Sequence, residues 1–265
     1  MQAVTLSISQ VVTHFSRITG SETILRRFVL FSALKVYICG EDNYFTQIIT
    51  TMQKKILSAV LLFTFLITGC TQQSEKIFNG RDLSGWHFVL ENDAVPGDEV
   101  FTVEEGIITV KGEPLGYMYT DKKYRNFTLE LEYRWAEEAD NSGVFFLIED
   151  PANPFPKGIE CQLMAGKAGD LVMLAGSDLK EFRLPEGVTE RPAFPVISKM
   201  QPSSEKATGE WNKVSITVNE GLIEVRINDI LQNSATSEVR EGHIGLQSEG
   251  KEIQFRNIVL DQSSL

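Results

Sequence analysis

A chain of 265 residues, 42% of them hydrophobic, has room for one large or two small globular domains. Its 36 Asp+Glu outnumber 25 Lys+Arg, and six of the bases but only three of the acids precede residue 70, so the formal net charge of −11 becomes −14 for the remainder. Such a surface repels nucleic acid and anionic membrane, and three cysteines in distant zones (Cys39, Cys70, Cys161) exclude a disulfide framework in the body of the chain.

Residues 1–51 include Arg26, Arg27 and the partly apolar run FVLFSALKVYICG, without a repeat or a helix cap. They are read as upstream sequence ahead of the true start, with a genuine extension as the alternative. Met52 then opens MQKKILSAVLLFTFLITGC: two lysines, an apolar run over 56–67, small residues, and a cysteine. This is the pattern of a signal peptide over 52–69, because the apolar run falls short of the roughly 20 residues that span a bilayer. The ending ITGC resembles the bacterial lipobox, which makes Cys70 the expected site of lipidation and the first mature residue. Several acyl chains would hold the protein firmly, since each buried methylene contributes about 0.8 kcal/mol. The expected location is the bacterial cell envelope, as an exported lipoprotein facing the periplasm or the cell surface; the plain alternative is a core helix ending in a chance cysteine.

After a short tether over 70–75, the domain expected over 76–262 alternates apolar and polar residues with the two-residue period of half-buried strands. In chain order the pattern predicts strands at 77–79, 86–90, 100–103, 107–110, 117–120, 127–135, 143–148, 159–163 and 171–174. Residues 176–209 carry four prolines and little periodicity, so they are expected to form a long loop at the rim of a binding site. NKVSITVNEGLIEVRIND reads as a hairpin turning at Asn219, Glu220 and Gly221, and further strands follow at 245–247 and 253–260. In the last of these, Ile253 and Phe255 are out of phase with Ile258 and Leu260, which predicts a bulge at Arg256-Asn257. Many short strands separated by Gly, Asn and Asp, with no sustained helical period, predict an all-β sandwich or jelly roll.

In order along the chain, IFNGRDLSGW, ADNSGVFF, GIECQL, GEWNKVSITV, VRINDIL and GHIGLQSEGKEIQFRNIVL resemble the 3-keto-disaccharide hydrolase domain family. The resemblance covers about residues 76–261. It implies a two-sheet antiparallel jelly-roll sandwich of the concanavalin A-like lectin and glucanase type. It also implies cleavage of glycosides whose sugar is already a ketone at carbon 3, by elimination followed by hydration. That ketone acidifies the hydrogen on carbon 2, so the chemistry needs a base, a group to hold the enolate oxygen and an acid for the departing alcohol.

Glu160 matches the family's E-x-Q motif on the polar side of a core-forming strand and is the expected catalytic base. Gln162, about 7 Å further at ~3.3 Å per residue, is expected to orient substrate hydroxyls. Asn141 and Ser142, just before Gly143, are further substrate-binding candidates, with Glu149 and Asp170 behind them. Gly143 signals a close backbone approach. The plain reading of each is ordinary: a solvent-facing strand glutamate, a turn entering a strand. Trp135 and Trp211 are expected in the core, and Cys161, alternating with Ile159 and Leu163, is expected as a buried small hydrophobe. His87 and His243 are minor candidates for touching substrate.

Two departures stand against the resemblance. Many family members carry an arginine in or after the strand that follows NSG and a histidine in the segment matching GKAGDLVML; here the first position reads Leu147-Ile148-Glu149 and the second has no histidine. The E-x-D-x-x-E pattern of laminarinase-like enzymes is missing too, which argues against two-carboxylate displacement. No cofactor is predicted and no metal site is assigned; a divalent cation held by scattered oxygens such as Asp140, Glu149 or Asp170 is left open. The expected partners are a carbohydrate and, through the lipid, a membrane. The alternative to an enzyme is a non-catalytic carbohydrate-binding lipoprotein.

Overall fold

The alternation in FTLELEYRW is realised as a strand in which Phe127, Leu129, Leu131, Tyr133 and Trp135 are buried while the residues between them face outward. The computed structural model describes residues 74–262. In chain order these form β1 (Ser74–Glu75), β2 (Trp86–Leu90), a single helical turn α1 (Gly97–Val100), β3 (Phe101–Glu104), β4 (Ile107–Val110), β5 (Gly116–Thr120), β6 (Tyr124–Arg125) and β7 (Phe127–Trp135). There follow β8 (Gly143–Asp150), β9 (Lys157–Gln162), β10 (Leu171–Leu174), β11 (Val196–Ile197), β12 (Asn212–Asn219), β13 (Leu222–Ile227), β14 (Ile230–Thr236), β15 (Glu241–Ser248) and β16 (Ile253–Asp261).

The strands make two antiparallel sheets, the jelly-roll sandwich. The first runs β14-β13-β12-β7-β16-β4-β3, with β1 also on β16; the second runs β11-β10-β9-β8-β15-β5-β2, with β6 also on β15. Their facing sides share one core, to which the first sheet gives Leu129, Leu131, Val214, Ile216 and Phe255 and the second Met118, Val144, Phe146, Ile159, Cys161 and Leu246. Each such side chain contributes about 1.5–3 kcal/mol on burial. Cys161 is fully enclosed, and burial pushes its thiol well above the usual range.

Several expectations need correction. Residues 77–79 form no strand, and the pairing near this end is made by β1, inside the expected tether: Ser74 and Glu75 lie opposite Asp261 and Leu260. The sequence reading has no strand at β14, because Gln232 and Asn233 are buried polar residues there. Asn233 donates to the Gly169 and Ile197 carbonyls and Gln232 to that of Pro202, so this strand clamps the long loop instead of reading as apolar. Trp211 is only half-buried and lies beside the guanidiniums of Arg134 and Arg256, 4.6 and 3.9 Å from its ring centre. The expected bulge is present: the pairing of β16 with β7 shifts between Arg256 and Val259, and Asn257 takes the left-handed conformation (φ 54°).

Candidate functional site

The outer face of the second sheet carries an apolar cluster of its own, built from Tyr117, Phe145, Ile148, Val172 and Leu174. Because β9 sends Ile159 and Cys161 to the core, Glu160 must point to this outer face, where its strand neighbours are Phe145 on β8 and Val172 on β10. It is no solvent-facing glutamate, being only 3% exposed. Its Oε1 finds no hydrogen-bond partner. The carboxyl occupies the space a side chain at Gly143 would take: a Cβ there would sit 2.4 Å from Oε1. Burial, and after it the nearby carboxylate of Glu249, raises the Glu160 pKa to about 8, so the group holds its proton at neutral pH.

Glu249 lies just beyond β15, half-buried, and takes a hydrogen bond from Gln247 Nε2 at 2.7 Å and another from the Asn141 side chain. Its pKa is also raised, first by burial and then by Asp140, while the two hydrogen bonds work in the opposite direction. The two carboxyls therefore differ in setting: Glu160 is enclosed by apolar side chains, whereas Glu249 accepts two amide hydrogen bonds that work against the burial raising its pKa.

Tyr117, Asn141, Glu160 and Gln247 each carry a buried polar atom without a partner: Tyr117 Oη, Asn141 Oδ1, Glu160 Oε1 and Gln247 Oε1. Buried polar groups are nearly always paired, and each unpaired one costs about 1–3 kcal/mol. Register brings Glu160, Gln247 and the segment holding Asn141 to one part of the outer face, while the Tyr117 hydroxyl lies nearer Tyr119 and Asp150. Gln247 lies opposite Tyr117, Glu160 opposite Phe145, and Gly143, two residues from Asn141, opposite Gln162. Unmet donors and acceptors of this kind are suited to a polar ligand.

A family model described as the 3-keto-alpha-glucoside-1,2-lyase-like domain matches residues 73–261. The chain belongs to this family. A 3-keto-disaccharide hydrolase of Bacteroides thetaiotaomicron is 25% identical over 224 residues, which cover 69% of this chain and 76% of that protein. Among solved structures, one described as a putative glycosyl hydrolase from Parabacteroides distasonis superposes with a TM-score of 0.52 at 20% identity, covering 71% of this chain and 98% of that one.

Within this 3-keto-alpha-glucoside-1,2-lyase-like domain the residues singled out from sequence separate. Asn141 hydrogen-bonds to Glu249. Gln162 shares their face, but its Oε1 accepts from the Leu163 and Met164 amides, so that oxygen braces the end of β9. Ser142 turns inward and donates from Oγ to the Gln247 carbonyl, which makes it a brace between strands rather than a ligand contact. Asp170 is buried and accepts from the Lys199 amide at 2.7 Å, pinning the long loop to β10. Glu149 pairs with Lys157 Nζ at 3.0 Å, away from the carboxyl pair.

In the segment where relatives are expected to carry a histidine, the side chain in register with Glu160 is Val172, which adds to the burial that keeps Glu160 protonated. Cys70 lies outside the described residues. Among the described residues no group of three or more His, Cys, Asp or Glu side chains is arranged to hold a metal ion. Sequence reasoning missed Tyr117, Gln247 and Glu249. The signal for two of them was present: carrying the alternation of β15 two residues further puts Gln247 and Glu249 on one face.

Proposed function

We propose that this domain cleaves 3-keto-glycosides by elimination and hydration, as an exported lipoprotein held to the envelope through an acylated Cys70, with Glu160 and Glu249 as its acid–base pair. The observation that carries the reading is this pair of neighbouring carboxyls in unequal settings, surrounded by unmet polar atoms. Two carboxyls in unequal surroundings can divide the acid and base roles between them.

Glu249, whose charged form is favoured by the hydrogen bonds from Gln247 and Asn141, takes the proton from carbon 2. The electron pair left there expels the oxygen on carbon 1, and Glu160, protonated at rest, gives that oxygen its proton. The product is a free alcohol and a 3-keto sugar unsaturated between carbons 1 and 2. Glu160, now a carboxylate, takes a proton from water as the water adds to carbon 1, and Glu249 returns its proton to carbon 2. The roles differ from the sequence expectation of Glu160 as resting base, since its buried carboxyl holds a proton at neutral pH.

The test is to incubate the protein with 3-keto-glucosides in heavy water and follow both aglycone release and deuterium entry at carbon 2. The parent is expected to do both. Glu160→Gln is expected to lose release while keeping exchange, and Glu249→Gln to lose both. Saturable binding of plain glycans with neither release nor exchange from any 3-keto-glucoside would establish the non-catalytic carbohydrate-binding alternative instead.

A further inference from the structure

Three strands along the row from Glu160, the same outer face carries a second set of side chains that the carboxyl pair does not use. Phe145 is opposite Glu160, Gly245 opposite Phe145, Tyr119 opposite Gly245, and His87 opposite Tyr119. At about 4.8 Å per strand this places Tyr119 roughly 14 Å from Glu160. Between them the side chains of Tyr117 and Ile148 close over Gly245, where a Cβ would meet both at 3.2 Å.

Tyr119 stands between two imidazoles, with ring centres 5.3 Å from His87 and 5.4 Å from His243. None of the three rings is buried: His87 is exposed, and Tyr119 and His243 are half-buried. Both imidazole tautomers are fixed by acceptors. His243 Nδ1 lies 2.8 Å from the Thr120 carbonyl, which can only accept, so Nδ1 carries the hydrogen and Nε2 is a bare acceptor. His87 Nε2 lies 2.9 Å from Asp121 Oδ1, so it donates there and Nδ1 is the bare acceptor. An aromatic ring flanked by two nitrogen acceptors suits a ligand with an apolar ring face and hydroxyl hydrogens at its edge.

We infer that Tyr119, His87 and His243 form a separate sugar-binding subsite that receives the leaving-group half of a disaccharide, whose ring lies on Tyr119 and whose hydroxyls donate to His243 Nε2 and His87 Nδ1. The assignment of this sugar as the leaving group rests on the proposed cleavage at Glu160 and Glu249; the subsite itself rests on the geometry of the three rings.

Turnover of a 3-keto-disaccharide and of a methyl 3-keto-glucoside is compared in the parent, Tyr119→Ala, Tyr119→Phe and His87→Ala. In parallel, saturation-transfer NMR follows binding of the unoxidised disaccharide to the same proteins. Tyr119→Ala is expected to lower kcat/KM for the disaccharide about tenfold and leave the methyl glycoside unchanged, with Tyr119→Phe close to parent and His87→Ala between them. In the NMR arm the leaving-group ring should receive saturation in the parent and lose it in Tyr119→Ala. Equal losses on both substrates, or no loss on either, overturns the subsite, as does an absence of saturation on that ring in the parent. If neither keto substrate is turned over but Tyr119-dependent saturation persists, the sugar subsite stands and the proposed cleavage fails.

Discussion

The carboxyl of Glu160 fills the space left by the missing side chain of Gly143, on the strand next to its own. Gly143 does not adopt a left-handed conformation, so alanine fits its backbone and the nearest conflicts are with the glutamate side chain. Gly143→Ala is therefore expected to displace the Glu160 side chain, reducing kcat by about a hundredfold or more with a much smaller change in KM, as loss of a positioned proton donor does. Its thermal midpoint should stay within a few degrees of the parent, since only one flexible side chain has to move. Kinetics and a melting curve on the same preparation check both halves.

Activity should fall as pH rises through about 8, where Glu160 loses the proton it must donate. A resting-base role would give the opposite limb, a rise that levels near the same pH. Glu249→Gln removes a negative neighbour, which makes ionisation of Glu160 easier, so the Glu160 midpoint in that variant should move below 8. Carbon-13 NMR of labelled glutamate carboxyls reads that midpoint without needing turnover.

The same carboxyl links stability to pH. Its folded pKa of about 8 lies above the ordinary 4.5, so between those values the folded state holds a proton that the unfolded state has released. Its contribution is fully present below about 4.5 and is lost as pH rises to 8, at up to about 1.4 kcal/mol per pH unit. Glu160→Gln removes this dependence. Urea unfolding of parent and variant at pH 5 and pH 8 should show the variant gaining on the parent at the higher pH.

On the first sheet, Trp211 lies beside Arg134 and Arg256, which are also held by Gln254 and Glu132. Trp211→Ala is expected to cost about 1–2 kcal/mol by removing the indole face on which the two guanidiniums rest. It should leave kcat and KM unchanged, because these residues belong to the sheet that does not carry the site. Denaturant unfolding and the disaccharide assay measure the two effects.

How much was legible in the sequence depended on whether a residue's role is local. Alternation fixed the faces of β7, β9 and β12, and the phase slip between Phe255 and Ile258 located the bulge, because both signals are carried by neighbouring residues. The strand β14 was hidden because its buried Asn233 answers to carbonyls at positions 169 and 197, far away in sequence. Glu160 was legible as an outward-facing residue but not as a buried one, since Phe145 and Val172 reach it only through pairing of β8 and β10 with β9. The pairing of Glu160 with Glu249 was hidden for the same reason: 88 residues separate them, and alternation says nothing about which strands become neighbours.

The position of β16 bears on the order in which the molecule is made. Last of the described strands in the chain, it sits in the middle of the first sheet, hydrogen-bonded to β7 and β4 and carrying β1 as well. Until the ribosome has released these nine residues, β7 and β4 have no common neighbour, and the side chains of both sheets that meet Phe255 and Leu260 stay uncovered. The sandwich therefore closes only after nearly all of it has been synthesised, and the nascent chain spends its synthesis as open strands dependent on whatever shields them.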